Sequence, residues 1–334
     1  MKRLYILAMF VAGALCGCSK QETEPAMNDG ATALMPVVER DGVPSRALLY
    51  DDDADLRADL FHTYSYIAGT STALFDSDVK YSTEDVDATK HRWLFYDVSG
   101  GYKNYYWPLA TSLDFFASTH SEHIKVNSQT NPPTFTATLP LINTGNDISH
   151  QENMKEFMYA YTSDRKATQG AVPLEFQHPF SGVVFEVKQS QRDLTVKTIT
   201  IGGINHIGTF DLAAVGSKWD YTADRNDLVL TVEKIIPGDV NFGGELCGPY
   251  IVLPQANSSD PKEFSIECHW KGYDTTSDDP AKDTKVLKGK IINDWEPGHI
   301  YTYTLDMGNS REEILFQVKV TPWKYVYEHE FEIE

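Results

Sequence analysis

Short strand-like runs separated by turn residues recur along almost the whole chain, and they constrain its fold more than any other feature. The runs are rich in aromatic and β-branched residues, which are typical of strands. Helical periodicity of 3.6 residues is scarcely visible, so alternating strand–helix units are not expected. The sequence therefore predicts an all-β protein built from β-sandwiches. The clearest runs are Leu60–Ala68, Arg92–Tyr96, Tyr102–Trp107, Leu113–Ser118, Thr134–Leu139, Phe157–Tyr161, Val183–Lys188, Val196–Ile201, Leu228–Val232, Tyr250–Pro254, Phe264–Trp270, Val286–Ile292, Ile300–Leu305 and Ile314–Val320.

The first 17 residues have the pattern of an export signal. Lys2 and Arg3 precede a short apolar run, Leu4–Leu15, which falls below the roughly 20 residues that a membrane-spanning helix needs. The run ends in Leu-Cys-Gly-Cys, which resembles a bacterial lipobox with Cys18 as the lipid acceptor. We therefore expect a lipoprotein that carries acyl chains such as palmitate on Cys18. The alternative is ordinary signal cleavage near this point, with Cys18 incidental.

The 334 residues carry a net charge of −19, which bears on the partners of the protein. Nucleic acids require cationic partners for their phosphates, so this acidic chain is not expected to bind them. The length remaining after the signal is enough for two domains.

Two cysteines, Cys247 and Cys268, remain beyond the export signal and the lipid-acceptor candidate. The turn at 256–260 lies between them, so a hairpin of the flanking runs would place them on facing strands. An oxidising compartment would allow a disulfide there. Two buried free thiols are the alternative, and their spacing does not match a zinc site.

Catalytic and metal-binding motifs are absent from the sequence. It contains no G-x-S-x-G elbow, no H-E-x-x-H motif and no phosphate-binding glycine loop. The acidic run that begins at Asp51 fails as an EF-hand, because Leu56 and His62 occupy the positions that need Gly and Glu. We therefore expect no cofactor, no metal and no enzymatic activity, and an acidic turn at that run.

The last residues alternate with a period of two, with His329 on the mostly apolar face and Val326 on the mostly charged one. One face carries Tyr325, Tyr327, Phe331 and Ile333, while the other is mostly glutamate. This is the period-two pattern of a strand with one buried face. It indicates either a final strand of the chain's own sheet or a strand donated to a neighbouring subunit.

The region before residue 47 reads as a tether followed by one short strand. Residues 19–33 are polar and turn-rich. Leu34–Val38 is an apolar run, and the following residues up to Arg46 form a loop by their Asp-Gly and Pro residues.

Taken together, several loose motifs in a fixed order resemble the fimbrillin family of Bacteroidales, the subunits of type V pili. The resemblance covers nearly the whole chain. The segments that carry it are Tyr105–Leu109, Leu113–Ala117, Leu174–Ser181, Val183–Val187, Val196–Ile204, Gly208–Asp211, Trp295–Tyr303 and Val318–Trp323.

This resemblance implies a domain organisation and a route of assembly. It implies two tandem transthyretin-like β-sandwich domains, here 47–170 and 171–334, after a tether and removable strand at 18–46. It also implies lipoprotein export to the outer membrane and a cut by a surface protease behind an arginine. Arg46 followed by Ala47 fits that cut, with Arg40 and Arg57 as rival sites. A strand from another subunit would then replace the released strand, and 324–334 is the candidate donor.

The expected function is therefore a structural or accessory subunit of a surface fimbrium that mediates adhesion. Its expected partners are other pilus subunits, a maturation protease, the outer membrane and a host or bacterial surface ligand. The alternative is a lipoprotein that does not polymerise and binds a glycan or host ligand, which would need a platform of exposed aromatic residues.

Overall fold

The protein is nearly all β, as the spacing of the runs predicts. The structure, a computed structural model, describes residues 34–38, 53–82, 93–96, 101–108, 111–143, 151, 154–190, 193–216, 218–238, 244–270, 284–307 and 315–322. The strands in these residues are β1 (Leu34–Val38), β2 (Leu60–Ile67), β3 (Ala73–Tyr81), β4 (Trp93–Tyr96), β5 (Tyr102–Lys103), β6 (Leu113–Thr119), β7 (Ile124–Asn127), β8 (Thr134–Thr138), β9 (Tyr159–Arg165), β10 (Val172–Phe176), β11 (Ser181–Ser190), β12 (Leu194–Asn205), β13 (Ile207–Asp211), β14 (Trp219–Tyr221), β15 (Arg225–Ile236), β16 (Gly244–Val252), β17 (Lys262–Trp270), β18 (Thr284–Ile291), β19 (His299–Met307) and β20 (Leu315–Pro322). One short helix, α1, spans Asp53–Ala58.

The strands form five sheets. The largest has the antiparallel order β5-β4-β3-β2-β6-β9, and a second antiparallel sheet has the order β14-β13-β8-β7. Two further sheets have the orders β16-β11-β19-β20 and β15-β12-β17-β18. The fifth is a two-stranded parallel pair of β1 and β10.

Three hydrophobic cores hold these sheets together. The first lies between one face of the six-stranded sheet, α1 and the β1–β10 pair. The second lies between the opposite face of that sheet and the β14-β13-β8-β7 sheet. The third fills the sandwich formed by the β16-β11-β19-β20 and β15-β12-β17-β18 sheets. Every residue of β6 is buried, because the first two cores lie on opposite faces of this strand.

Strands from both sides of position 170/171 share one sheet. β8 pairs with β13 over five residues, from Thr138↔Ile207 to Thr134↔Asp211. β10, just beyond this position, contributes to the first core together with strands that precede it. The division into domains at 170/171 stays a prediction. The β8–β13 pairing connects the two sides of this position through a sheet as well as through the chain itself.

The described part of the acidic run, from Asp53 onward, lies in a helix where a turn was expected. Asp53–Ala58 is α1, and its Leu56 is fully buried in the first core. The expectation of a turn was wrong because this apolar side chain has a core to enter, which the local sequence does not show.

Candidate functional site

β1 occupies a distinct position at the margin of the first core. In the described residues it pairs with β10 alone, in parallel, from Leu34↔Val172 to Val38↔Phe176. Leu34 is 5% exposed and Pro36 is buried, whereas Met35 between them is 39% exposed. This alternation points one side of β1 into the core, as expected for a strand with one buried face.

The core beneath β1 is apolar and aromatic. Leu34 belongs to a cluster with Leu56 of α1, Phe61 of β2 and Phe115 of β6, together with the inward residues of β10. Departure of β1 would therefore expose this cluster and leave one backbone edge of β10 without a partner. An unpaired edge next to an apolar groove is a ready site for another strand.

β10 is held in place on its other side, independently of β1. Gln177 and Tyr159 exchange backbone hydrogen bonds of 2.8 and 3.1 Å. The Thr162 hydroxyl donates to the carbonyl of Pro173, and the Arg165 guanidinium donates to the carbonyl of Ala171 at 3.0 Å. These contacts to β9 indicate that β10 keeps its position when β1 is absent.

The inward side chains of β10 continue past the end of β1. Val172, Leu174 and Phe176 are buried and alternate with the more exposed residues 173, 175 and 177. His178 continues the same alternation, and its Nδ1 lies 2.5 Å from Oε1 of the fully buried Glu156. We call Val172, Leu174, Phe176 and His178 the inward row.

A cleft of about 770 Å³ opens where β1 ends. Its wall includes Phe176, whose register partner is the last residue of β1, and it extends over the β10–β11 connection, β14 and the loop before β19. Its lining residues are Tyr159, Glu175, Phe176, Gln177, His178, Pro179, Phe210, Gly216, Lys218, Trp219, Tyr221, Pro254, Gln255, Ala256, Asp294, Trp295, Glu296, Pro297, Gly298 and His299.

The aromatic wall of the cleft is fixed by hydrogen bonds and is uncharged. The Trp219 indole donates to the carbonyl of Pro179 at 3.0 Å, and the Tyr221 hydroxyl donates to the carbonyl of Pro254. Burial raises the pKa of Tyr159 to about 12 and raises that of Tyr221 as well, so both phenols are neutral at physiological pH. The wall therefore suits an apolar or aromatic guest.

No metal centre is present among the residues that the structure describes, since none of their His, Cys, Asp and Glu side chains form a group of three or more that could hold an ion. In the same part of the chain, no helix is long and apolar enough to cross a membrane.

Most of the sequence-predicted site residues lie outside the described residues. These are Cys18, Arg46, Ala47, Tyr325, Tyr327, Phe331 and Ile333, and with them the rival cleavage site Arg40. The other rival, Arg57, lies in α1 beside fully buried Leu56, with its guanidinium 5.0 Å from the Tyr81 ring centre. Cleavage there would require the helix to open.

Cys247 and Cys268 are both free thiols, which was one of the two alternatives. The hairpin expected to bring them together was wrong: Cys247 lies on β16 and Cys268 on β17, and these strands belong to different sheets of the sandwich. The turn between them joins one sheet to the other. Burial raises the pKa of each thiol to about 12.

Sequence reasoning identified β1 but missed the strand and the cleft that receive it. β10 contains Pro173, and the stretch from Ala167 to Pro173 reads as a polar loop. The usable signal was the alternation of Val172, Leu174 and Phe176, which is short and interrupted by proline.

The chain matches the sequence model of a known protein family. The model of a family described as fimbrillin-like matches residues 57–323, which is most of the chain. The chain belongs to the fimbrillin-like family. By sequence, this fimbrillin-like protein matches none of the curated proteins.

Solved structures show the same fold at low identity. A fimbrial protein from Bacteroides vulgatus is 13% identical with a TM-score of 0.53, covering 88% of this chain and 99% of that one. A candidate cell adhesion protein from Bacteroides uniformis is 15% identical with a TM-score of 0.51, covering 89% of this chain and 99% of that one. At these identities the likeness of the fimbrillin-like chain to both concerns the fold.

Proposed function

We propose that this fimbrillin-like protein is a structural or accessory subunit of a type V surface fimbrium that mediates adhesion. In this proposal β1 is removed by a cut between Arg46 and Ala47, and a strand from a neighbouring subunit takes its place. The observation that carries the proposal is the position of β1: a five-residue strand, paired in the described residues with β10 alone, whose Leu34 enters the first core.

The geometry accounts for why the subunit would stay monomeric until it is cut. With β1 in place, the edge of β10 is paired and the groove is filled, so no second chain can add to it. Once β1 leaves, burial of a new strand recovers both the backbone hydrogen bonds and the apolar contacts. The family membership and the fimbrial fold relative support this function.

The two ends of the chain have separate roles in this proposal: the amino-terminal end anchors the precursor to the membrane, and the carboxyl-terminal end supplies the donor strand. Acyl chains on Cys18 would hold the precursor at the outer membrane, since two or more lipid chains give lasting attachment. Residues 18–33 would serve as the tether. Residues 324–334 would be the donor, since their alternating pattern offers one apolar face over their length.

The mature amino terminus on whole cells tests the proposal. Intact mass with lipid analysis should show a precursor lipidated at Cys18 and a polymerised chain that begins at Ala47. Arg46→Ala should block both the cut and polymer formation, whereas Arg40→Ala should change neither. Normal polymers from Arg46→Ala, or from a chain that ends before Lys324, would contradict the proposal. A chain that stays lipidated at Cys18 and uncut would indicate a fixed surface lipoprotein instead.

A further inference from the structure

We propose that the strand that replaces β1 is longer than β1, and that its far end fills the cleft with Phe331 and Ile333 of the neighbouring subunit. This inference rests on the strand exchange proposed above and adds to it a second binding region, the cleft, with a defined occupant.

The acceptor surface extends beyond the end of β1, its present occupant. The last residue of β1 pairs with Phe176, but the inward row continues to His178 and from there into the cleft. β1 therefore covers only part of a continuous row of inward side chains.

The donor candidate is longer than β1. The apolar face of the donor candidate runs from Tyr325 to Ile333, nine residues, against five in β1. Four additional residues of extended chain reach about 13 Å further. A donor that pairs in parallel with β10, as β1 does, would therefore reach the cleft with the residues at its far end.

The register follows from the alternation. With Tyr325 in the place of Leu34 and Tyr327 in the place of Pro36, His329 takes the place of Val38 opposite Phe176. Phe331 then falls opposite His178, beyond the end of β1. Ile333 follows two residues later on the same face.

The lining of the cleft is chemically suited to the far end of the donor. Phe210, Trp219 and Tyr221 line the cleft; Phe210 and Trp219 are 2% and 6% exposed, so half-buried Tyr221 offers most of the aromatic surface against which a ring such as that of Phe331 packs favourably. The buried Glu156 beneath the inward row is paired with His178, so the guest does not meet an isolated buried carboxylate.

Carboxylates of the acceptor oppose this register. Exposed Asp294 and Glu296 line the cleft that Glu332 would approach. Glu328 would lie beside Glu175, which is exposed. Like charges across neighbouring strands are unfavourable, but solvent and salt screen an exposed pair to a small effect.

Cysteine crosslinking in polymers isolated from cells tests the register. The mature subunit starting at Ala47 lacks Cys18. Cys268 is buried and Cys247 is partly buried, and burial raises the pKa of both thiols, so the background is low. In the double variant Gln177→Cys with Glu330→Cys, the two positions are direct cross-strand neighbours. Oxidation should give a ladder that resists heating in detergent and disappears on reduction.

Two control pairs keep that experiment decisive. Gln177→Cys with Lys324→Cys should not crosslink above background, because Lys324 lies at the opposite end of the donor from Glu330, the residue that faces Gln177. Gln129→Cys with Glu330→Cys measures background, since Gln129 is exposed and is not among the residues that line the cleft. Crosslinking of the Lys324 pair, or a Gln177–Glu330 yield equal to background, would overturn the inference.

Truncation separates this inference from the strand exchange itself. Deleting 324–334 should abolish polymers, which tests the proposed function. Deleting only 330–334, or Phe331→Ala, should leave polymers that dissociate at least about tenfold faster, because a buried aromatic contact is lost. Glu332→Ala on the opposite face is the matched control and should leave the rate unchanged. Unchanged dissociation in both Phe331→Ala and the short deletion would overturn the inference and leave strand exchange standing.

Discussion

Replacing Leu34 by alanine measures how firmly β1 is held in the first core. The side chain is 5% exposed and belongs to the cluster beneath the β1–β10 pair. Leu→Ala at buried positions costs about 2–5 kcal/mol, depending on how far the site relaxes. Leu34 lies at the margin of its core, where relaxation is easiest, so we expect a loss of about 2–3 kcal/mol. This corresponds to a roughly 30- to 150-fold higher population of the form in which β1 is detached.

Native-state hydrogen exchange read by mass spectrometry is the appropriate assay, because it reports local opening without global unfolding. Peptides covering β10 should exchange faster in Leu34→Ala by the factor given above. Peptides covering β12, which lies in the third core, should exchange as in the unmodified protein. Met35→Ala is the matched control: Met35 is the next residue and 39% exposed, so its effect should stay within about 0.5 kcal/mol.

Equal exchange of β10 in the Leu34 and Met35 variants would refute the reasoning, since it would mean that burial of Leu34 does not hold β1. Faster exchange throughout the protein would also refute it, because β1 would then be coupled to global stability and could not leave on its own.

Other parts of the molecule give further tests. Asp114→Ala should lower the unfolding free energy by about 3 kcal/mol, measured by urea titration. The buried carboxylate accepts three hydrogen bonds of 2.8 to 3.1 Å that bring together separate loops. A loss no larger than that of Asp220→Ala, at an exposed position, would contradict this. Gly248→Ala should be strongly destabilising by thermal melting, because φ is +114° there and a Cβ would lie 2.7 Å from a backbone oxygen; an unchanged melting temperature would refute it. Cys247, which is partly buried, and Cys268, which is fully buried, should resist iodoacetamide at pH 8 in the folded protein because both thiol pKa values are raised, and rapid labelling would contradict this. Since folding raises both thiol pKa values from 9.0 to about 12, the native state holds these protons longer than the unfolded state, so their contribution to stability is full below pH 9 and falls as pH rises towards 12.

The elements that sequence analysis predicted are those whose pattern is local. β1 coincides with the apolar run Leu34–Val38, and β6 with the run that begins at Leu113. Strand β3 was missed although Phe75 and Val79 are buried in alternation with polar residues, because its aspartates and serine are typical of turns. Its position in the middle of the six-stranded sheet is set by pairing with β2 and β4.

The receiving side of the candidate site could not be predicted because it is made by tertiary contacts. β10 becomes a strand through β1 on one edge and the Tyr159–Gln177 bridge on the other. The cleft draws its wall from segments as distant in sequence as Tyr159 and His299. The cysteine hairpin was wrong for a related reason: a turn between two strands does not reveal whether the chain returns along the same sheet or passes to the opposite one.

The pairing of β8 with β13 also determines how the molecule bears mechanical load. Five register pairs, a 3.0 Å hydrogen bond between the hydroxyls of Thr136 and Thr209, and a 2.8 Å bond from the Leu139 amide to the His206 carbonyl connect the two halves of the chain. A pulling force that separates the residues before position 170 from those after it acts on this set of bonds as well as on the chain itself. Tension across this position is therefore shared between a paired sheet and the chain, so that a load on one half passes to the other without straining one connection alone.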